Sequence, residues 1–215
     1  PKAITHEAKR YFEYAKMTTK TFFGLNKSST IFTATDAGWI NGHTYAVYGP
    51  LACGSTIVIC EDLKKLSDPI HLLNINHELK VTCLYLSVTL LRLLKGNNQG
   101  IIDSKKHISS LLERIGSCGE PLAHDVGDWA VKFFKPFTKT IVNTYFQTET
   151  GGIMVAPKEE DGIPPDYSSV GKPSKEIGLF IAKDKFTKLE LEEEEINPDE
   201  ILIENPWNGI YKKVK

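Results

Sequence analysis

Hydrophobic and polar positions alternate along the chain with two different periods. Over residues 5–23, apolar and aromatic side chains recur at spacings of three and four with Lys and Glu between them, which is typical of an amphipathic helix. We expect the turn 24–29 to end this helix. The run 30–35, rich in β-branched residues, then predicts the first buried strand.

The same two periods continue in alternation to residue 143. Strands are predicted at 55–60, 81–86, 114–117 and 138–143. Helices are predicted at 41–48, 68–79, 88–95 and 123–134. The first has Asn41 as its cap and ends at Gly49-Pro50. A further helical stretch is predicted after a polar loop at 97–106 and ends near Glu113. Four or five strand–helix steps with short connections predict an α/β fold in which helices flank both faces of a parallel sheet.

Beyond Gly151-Gly152 the pattern changes. Several Pro and Gly residues interrupt the chain, and only two short strands are predicted, at 177–182 and 201–204. We therefore expect an α/β subdomain over residues 1–152 and the start of a small, mostly β subdomain over residues 153–215. The acidic run at 189–197 is interpreted as a solvated loop.

Charge and composition exclude several classes of function. Lys and Arg number 26 against 27 Asp and Glu, so a net charge of −1 gives no electrostatic reason to expect binding to nucleic acid or to a membrane. No stretch reaches the roughly 18 apolar residues that span a bilayer, and the first residues lack a secretory signal. The four cysteines form no C-x-x-C pair and are interpreted as packing residues. These features predict a cytoplasmic or nuclear protein.

Three loops follow predicted strands and should open at one edge of the sheet, where ligands bind in such folds. They are 36–45, 116–121 and 143–152, and each mixes small residues with polar ones. Gly116 and Gly119 can adopt positive φ and bring the main chain close to a flat ring or a phosphate. The alternative is an ordinary strand-to-helix turn in which Glu120 interacts with the N-terminus of the next helix.

The third loop has residues that suit a magnesium site beside phosphate, and the alternative is a solvated turn. Glu149 supplies a carboxylate among the hydroxyls of Thr144, Thr148 and Thr150 and the amide of Gln147. The sequence contains neither H-E-x-x-H nor G-x-S-x-G, so a metalloprotease or a hydrolase has no support.

Taken in order, the three loops resemble motifs of the AMP-forming acetyl-CoA synthetases, which are members of the adenylate-forming superfamily. The segments are TATDAGWINGHTYAVYGPLACGSTIV at 33–58, RIGSCGEP at 114–121 and IVNTYFQTETGGIMVAP at 141–157. The resemblance implies part of the large N-terminal domain of such an enzyme. It also implies the reaction: acetate or another short acid attacks the α-phosphate of ATP to form an acyl-adenylate, and CoA then displaces AMP.

The resemblance implies ATP and CoA as co-substrates and Mg²⁺ as the cofactor. It also assigns roles to particular residues. The adenine site would be lined by Gly119, Glu120 and Pro121. The adenosine and α-phosphate would be wrapped by Asn143, Thr144, Tyr145, Phe146, Gln147 and Thr148. Glu149 would lie near the metal and Asn41 near CoA, and the acid pocket would be formed by Trp39, Ile40, Cys118 and Phe146.

The chain departs from the family pattern at several of these positions. Asn143, Tyr145 and Phe146 stand where the family usually has an Asp and two Trp residues, the second of which closes the acetate pocket; Cys118 and Asn41 replace a usual Val and Thr. Because a phenyl ring is smaller than an indole, and one methylene is worth about 1–3 kcal/mol of discrimination, we expect propionate to be accepted at least as readily as in the typical enzyme.

Pro1-Lys2 resemble the end of the family's phosphate loop, and the chain stops before its ribose-binding Asp and mobile C-terminal domain. We therefore expect an excerpt of a larger enzyme, inactive alone, whose partners are small-molecule substrates and its own flanking domains. An exposed face left by their loss could cause self-association. The alternative is a catalytically degenerate homologue that keeps the fold as a nucleotide-binding or scaffold protein.

Overall fold

The structure is a computed structural model that describes residues 3–98, 111–134, 141–157, 166–173, 178–204, 206–207, 210 and 213–214. Its strands are β1 (Ile4–Thr5), β2 (Thr30–Ala34), β3 (Thr56–Val58), β4 (Cys83–Ser87), β5 (Arg114–Cys118), β6 (Ile141–Asn143), β7 (Leu179–Ile181), β8 (Ile201–Ile203) and β9 (Lys213–Val214). Its α-helices are α1 (Ala8–Phe23), α2 (Ile40–His43), α3 (Gly49–Ala52), α4 (Pro69–Glu78), α5 (Val88–Asn97), α6 (His124–Phe134) and α7 (Lys188–Glu193). A π-helical segment covers Thr44–Tyr48, and 3-10 turns cover Leu63–Ser67 and Ala182–Asp184.

Five parallel strands form the central sheet in the order β3-β2-β4-β5-β6. The register places Ile31 beside Cys83, and Tyr85 beside Gly116. All five carboxyl ends therefore meet at one edge. This arrangement confirms the predicted α/β fold with a parallel sheet flanked by helices.

Alternate residues of each strand supply two separate cores, one on each face of the sheet. Phe32, Leu84 and Ile115 point into a cluster that includes leucines of α4 and α5 and Phe134 of α6. Ile31 and Tyr85 point into the other, which includes Phe22 and Phe23 of α1 and Tyr45 of the π-helical segment. The helices that cover the two faces are thus drawn from different parts of the chain.

Most predicted elements are present with shorter or shifted ends. The helix predicted from residue 5 begins at Ala8, because Ile4 and Thr5 pair with β9 and Glu7 caps the helix by accepting from the amides of Lys9 and Arg10. Gly24 ends it with φ +62°. Similarly, Asp68 caps α4 instead of lying within it.

The helix predicted at 41–48 is wrong at both ends. It begins at Ile40, Trp39 occupies the cap position, and the buried Asn41 caps nothing. The helical path also continues past Gly49-Pro50 to Ala52, through the π-helical segment and α3. Pro50 is tolerated because it lies in the first turn of α3, where a proline costs little.

In the C-terminal part, the two predicted strands form the antiparallel pair β7–β8. The loop predicted at 189–197 is wrong in its first half, which forms α7. A capping box explains the difference, since Thr187 accepts from the amide of Glu190 while the Glu190 carboxylate accepts from the amide of Thr187. The predicted division at residue 152 stays a prediction.

Some predicted segments lie outside the described residues, namely most of the helical stretch before Glu113 and the start of the strand at 138–143. Within the described part of the chain, no helix is long and apolar enough to cross a membrane.

Candidate functional site

A cavity of about 530 Å³ lies at the carboxyl edge of the sheet, where the three loops come together. Its wall includes nine of the residues that the sequence singled out, namely Trp39, Ile40, Asn41, Cys118, Gly119, Glu120, Phe146, Gln147 and Thr148. Parallel strands bring these loops together although they are far apart in sequence. Pro121, Asn143, Thr144, Tyr145 and Glu149 do not border this cavity.

Sequence reasoning missed part of the wall. Leu63 and Leu66 from the first 3-10 turn, and Ser87, Thr89, Leu90 and Leu93 around the start of α5, also line the cavity. The residues around the start of α5 could have been found from the sequence, because α5 follows β4 directly at the same sheet edge. Leu63 and Leu66 lie in a segment for which we predicted no element.

Phe146 forms a fixed part of the wall because Tyr45 packs against it edge-on, with ring centroids 5.6 Å apart and planes at 80°. Tyr45 is itself fully buried and immobilised. Its hydroxyl accepts from the amide of Ile153 at 2.6 Å and shares a hydrogen bond with Thr18 at 2.9 Å, and its carbonyl accepts from Thr33 at 2.8 Å. Burial raises the pKa of Tyr45 far above its ordinary value, so the phenol is neutral.

Asn41 and Cys118 meet in the cavity wall, and both are buried. The amide nitrogen of Asn41 donates to the Cys118 sulfur at 3.2 Å, and the Asn41 amide oxygen is buried without a hydrogen-bond partner. Burial raises the pKa of the Cys118 thiol to about 12, so it is not a thiolate at neutral pH. This agrees with its interpretation as a packing residue.

Glu120 is bound to α5. Its carboxylate accepts from Arg92 at 2.8 Å and from the hydroxyl of Thr89. The hydrogen bond from Thr89, together with Arg92, holds the pKa of Glu120 below its ordinary value. These bonds join Glu120 to α5, and the interaction of Glu120 with the N-terminus of the next helix, α6, stays a prediction.

The two glycines of GSCGEP have different roles. Gly119 has φ +94°, borders the cavity and has open space where a Cβ would be. Gly116 has no positive φ; a Cβ there would lie 2.5 Å from the Tyr85 ring and 2.7 Å from the Phe23 ring. The expectation of positive φ is thus confirmed for Gly119 and wrong for Gly116, which is needed for core packing.

Asn143 and Thr144 use their polar groups inside the protein. Ser117 donates to the Asn143 amide oxygen at 3.0 Å, and the Asn143 nitrogen donates to the carbonyl of Ser168 at 2.9 Å. Thr144 donates to the carbonyl of Ser117 at 2.7 Å and shares a hydrogen bond with Tyr85 at 2.6 Å. Both residues hold the third loop against the sheet, and their contact with a nucleotide stays a prediction.

The end of the third loop is a tight turn that leaves one carboxylate available. Thr150 accepts from the amide of Gln147 at 2.9 Å and lies within 3.0 Å of the carbonyl of Gly152. Glu149 is half-buried, and no hydrogen bond or ion pair joins its carboxylate to another described residue.

Glu149 fits the way Mg²⁺ is held beside phosphates, with one or two carboxylates completed by water and phosphate oxygens. The described residues contain no group of three His, Cys, Asp or Glu that would hold a metal alone.

Proteins of similar sequence include acetyl-coenzyme A synthetases. Acetyl-coenzyme A synthetase 1 of Debaryomyces hansenii is 40% identical over 157 residues, which is 73% of this chain and 23% of that protein. Acetyl-coenzyme A synthetase 2 of Saccharomyces cerevisiae is 32% identical over 214 residues, or 100% of this chain and 31% of that protein. The chain thus spans about a quarter to a third of the length of these relatives.

Among solved structures, an anthranilate CoA ligase in complex with anthranoyl-AMP matches 100% of this chain and 38% of its own with a TM-score of 0.76. At 20% identity this likeness shows the fold alone. The family model of the AMP-binding enzymes matches residues 1–208. The chain therefore belongs to the family of AMP-binding enzymes.

Proposed function

We propose that this chain forms the acid- and nucleotide-binding part of an acyl-CoA synthetase. The enzyme would activate a carboxylic acid, acetate in the first instance, with ATP to give an acyl-adenylate and pyrophosphate, and CoA would then displace AMP. The observation that supports this most directly is the single cavity shared by loops 36–45, 116–121 and 143–152. The curated relatives carry the name acetyl-coenzyme A synthetase.

The residues present suit a reaction that depends on positioning and charge neutralisation. Gly119 exposes its main chain at the cavity, and Glu120 is held rigidly by α5; with Pro121 they would line the adenine. The turn from Gln147 to Thr150 would face the α-phosphate. No side-chain nucleophile is needed, which agrees with the neutral thiol of Cys118.

Glu149 would hold Mg²⁺ together with the nucleotide phosphates, and Asn41 would contact CoA. The ion would supply charge neutralisation at the phosphates. The partners proposed are the acid, ATP and CoA, and the proposed location is the cytoplasm or the nucleus.

The test is acid-dependent exchange of labelled pyrophosphate into ATP by the whole gene product that contains this chain. We expect exchange only when a carboxylic acid is present. Absence of exchange with every acid from acetate to octanoate and benzoate would overturn the proposal and favour the degenerate homologue.

A matched pair of variants tests the metal site. Glu149→Gln removes one charge and should raise the Mg²⁺ concentration for half-maximal exchange by roughly tenfold or more. Glu113→Gln removes an exposed carboxylate at the opposite end of β5 and should leave this concentration unchanged. Equal responses of the two variants would contradict the role proposed for Glu149.

A further inference from the structure

A histidine outside the three loops contacts the turn that the proposed function places at the α-phosphate. The Nε2 atom of His6 lies 2.7 Å from the carbonyl oxygen of Thr148, across 142 residues of sequence. Because a carbonyl oxygen can only accept, Nε2 carries the hydrogen and donates it. Thr148 lines the cavity, whereas His6 does not. His6 therefore holds the turn without forming part of the cavity wall.

The ring of His6 is fixed by its neighbours on both sides in sequence. The two residues of β1, which pair with β9, precede it, and Glu7, which caps α1, follows it. The ring of Tyr11, one turn into α1, packs against the imidazole with centroids 5.2 Å apart. The donor at Nε2 is therefore held at a defined position before any ligand binds.

The end of the third loop approaches this pair of rings as closely as glycine allows. Gly151 has φ +71°, and a Cβ on it would lie 2.9 Å from the Tyr11 ring and 3.2 Å from the His6 ring. Thr44 donates to the carbonyl of Gly151 at 2.8 Å and shares a hydrogen bond with the Tyr11 hydroxyl at 2.6 Å. Side chains from outside the loop therefore hold two of its carbonyls, those of Thr148 and Gly151.

The bond from His6 acts on the central peptide of the turn from Gln147 to Thr150, which is closed by the amide of Thr150 and the carbonyl of Gln147 at 3.2 Å. In a planar trans peptide the carbonyl and the N–H point in opposite directions. The carbonyl of Thr148 faces His6, so the N–H of Glu149 points away from it. Among the described residues, this N–H has no acceptor.

A rotation of this peptide by about 180° would exchange the two groups, which is the difference between type I and type II turns. The rotated form needs a positive φ at Glu149, and Glu149 has none in the structure. The hydrogen bond from His6 adds to this preference, because the rotated peptide would direct an N–H at a donor. His6 therefore stabilises the orientation in which the free N–H of Glu149 lies on the side opposite to the imidazole.

We infer that His6 is a positioning residue for adenylate formation, which acts through Thr148 to keep the N–H of Glu149, rather than a carbonyl, directed at the α-phosphate. The inference rests on the proposed function, which places this turn at that phosphate. An N–H stabilises the charge on phosphate oxygens and a carbonyl repels it. Loss of the bond should therefore lower the rate of the chemical step more than the affinity for ATP.

The test uses acid-dependent exchange of pyrophosphate into ATP by the whole gene product. His6→Phe keeps a ring against Tyr11 and removes the donor, so it should lower kcat about tenfold and change the KM for ATP by less than about threefold. His6→Leu serves if this variant does not fold, as judged by circular dichroism. His6→Gln offers an amide N–H at similar reach and should keep at least about a third of the wild-type kcat.

His77→Phe is the matched control, because it makes the same change at an exposed histidine of α4 and should leave kcat and KM unchanged. Equal kcat values for His6→Phe and His6→Gln, or a loss confined to KM, would overturn the inference.

A double variant tests whether His6 acts through the turn. With His6→Phe and Glu149→Gln combined, at saturating Mg²⁺, the loss of kcat should be clearly smaller than the product of the two single losses, because both changes disturb one unit. Losses that multiply would show that His6 acts independently of this turn and would refute the inference.

A measurement without substrates separates the inference from the proposed function. Thr150 and Gly151 donate their amides within the turn. Hydrogen–deuterium exchange of a peptide covering residues 147–153 in the whole gene product should become about fivefold faster in His6→Phe, and change less than about twofold in His6→Gln. Equal exchange in the wild type and His6→Phe would refute the inference.

The two failures are distinguishable. Pyrophosphate exchange by the wild type with the same kcat in His6→Phe refutes the inference and leaves the proposed function standing. Absence of pyrophosphate exchange by the wild type refutes the proposed function, and deuterium exchange that still depends on a donor at position 6 then supports His6 as the residue that positions this turn.

Discussion

The hydroxyl of Tyr45 accepts a hydrogen bond from the amide of Ile153, across 108 residues of sequence, at a distance of 2.6 Å. This bond joins the helix beside the first loop to the chain just after the third loop. It also fixes the ring against which Phe146 packs. The shape of the cavity wall therefore depends on a phenol that lies outside the cavity.

Tyr45→Phe should destabilise the chain by about 1–3 kcal/mol, because it leaves the buried amide of Ile153 without an acceptor. Thr18 keeps its hydrogen bond to the carbonyl of Tyr14 and loses little. The free energy of unfolding in urea checks this. Tyr48→Phe, at a tyrosine that is 40% exposed, should change it by less than about 0.5 kcal/mol; similar losses in the two variants would contradict the prediction.

Arg92→Met should raise the pKa of Glu120 toward its ordinary value, since Arg92 is one of the groups that lower it, while the hydrogen bond from Thr89 remains. A carbon-detected NMR titration of the Glu120 carboxyl measures this. Lys65→Met, which breaks the Asp62–Lys65 pair elsewhere, should not move it. An unchanged Glu120 pKa in Arg92→Met would show that the ion pair is not formed.

The ion pair between Arg92 and Glu120 also predicts how the free energy of unfolding depends on pH. Because the pKa of folded Glu120 is depressed, its contribution to stability is present above the pKa of about 4.3 of an unfolded Glu and is lost as pH falls through the folded value. The difference in unfolding free energy between wild type and Arg92→Met should be at most about 1 kcal/mol at pH 7, since both side chains are partly exposed. It should shrink in acid, and a difference that grows there would refute the assignment.

Asn143→Asp, which introduces the residue usual in the family, should destabilise this chain by about 1–3 kcal/mol at pH 7. An aspartate would place a buried charge beside the carbonyl of Ser168 and remove the donor that this carbonyl receives. Because burial raises the pKa of such a carboxyl, the loss should diminish at low pH. Asn197→Asp, at an exposed position, is the control, and a stabilised or unchanged Asn143→Asp variant would contradict the account.

Gly116→Ala and Gly119→Ala should destabilise the chain by different amounts and for different reasons. Gly116→Ala overpacks the contact with Tyr85 and Phe23 and should cost about 3 kcal/mol or more. Gly119→Ala meets no atom within 4 Å, so only its φ of +94° opposes the change, at about 1–2 kcal/mol. Urea unfolding measures the loss of unfolding free energy in both variants. A larger loss for Gly119→Ala than for Gly116→Ala would contradict the prediction.

The sheet could be predicted because its signals are local. Apolar runs such as 30–35 are visible in a short window, and parallel order follows from alternation with helices. The path from residue 40 to residue 52 could not be predicted, because Pro50 normally stops a helix and the π-helical segment is stabilised by tertiary contacts of Tyr45.

The sequence predicted that three loops meet at one edge of the sheet, because each of them follows a strand. That principle brought Trp39, Glu120 and Phe146 together correctly. It could not show that the polar atoms of Asn143 are directed into the protein, since its partner Ser168 lies in an irregular segment with no sequence pattern. Nor could it place Leu63, because a 3-10 turn of five residues has no periodicity to detect.

The π-helical segment Thr44–Tyr48 makes the helix beside the cavity tolerant of a change in its own length. A π turn holds about one residue more than an α turn, and each helical residue corresponds to a rotation of about 100°. Deleting one residue here would convert the π turn to an α turn and leave Ile40 and Asn41 on nearly the same face relative to Gly49–Ala52. A one-codon deletion in this segment would therefore be absorbed as a change from π to α geometry, whereas the same deletion within the regular helix α1 (Ala8–Phe23) would turn the residues before it by about 100°.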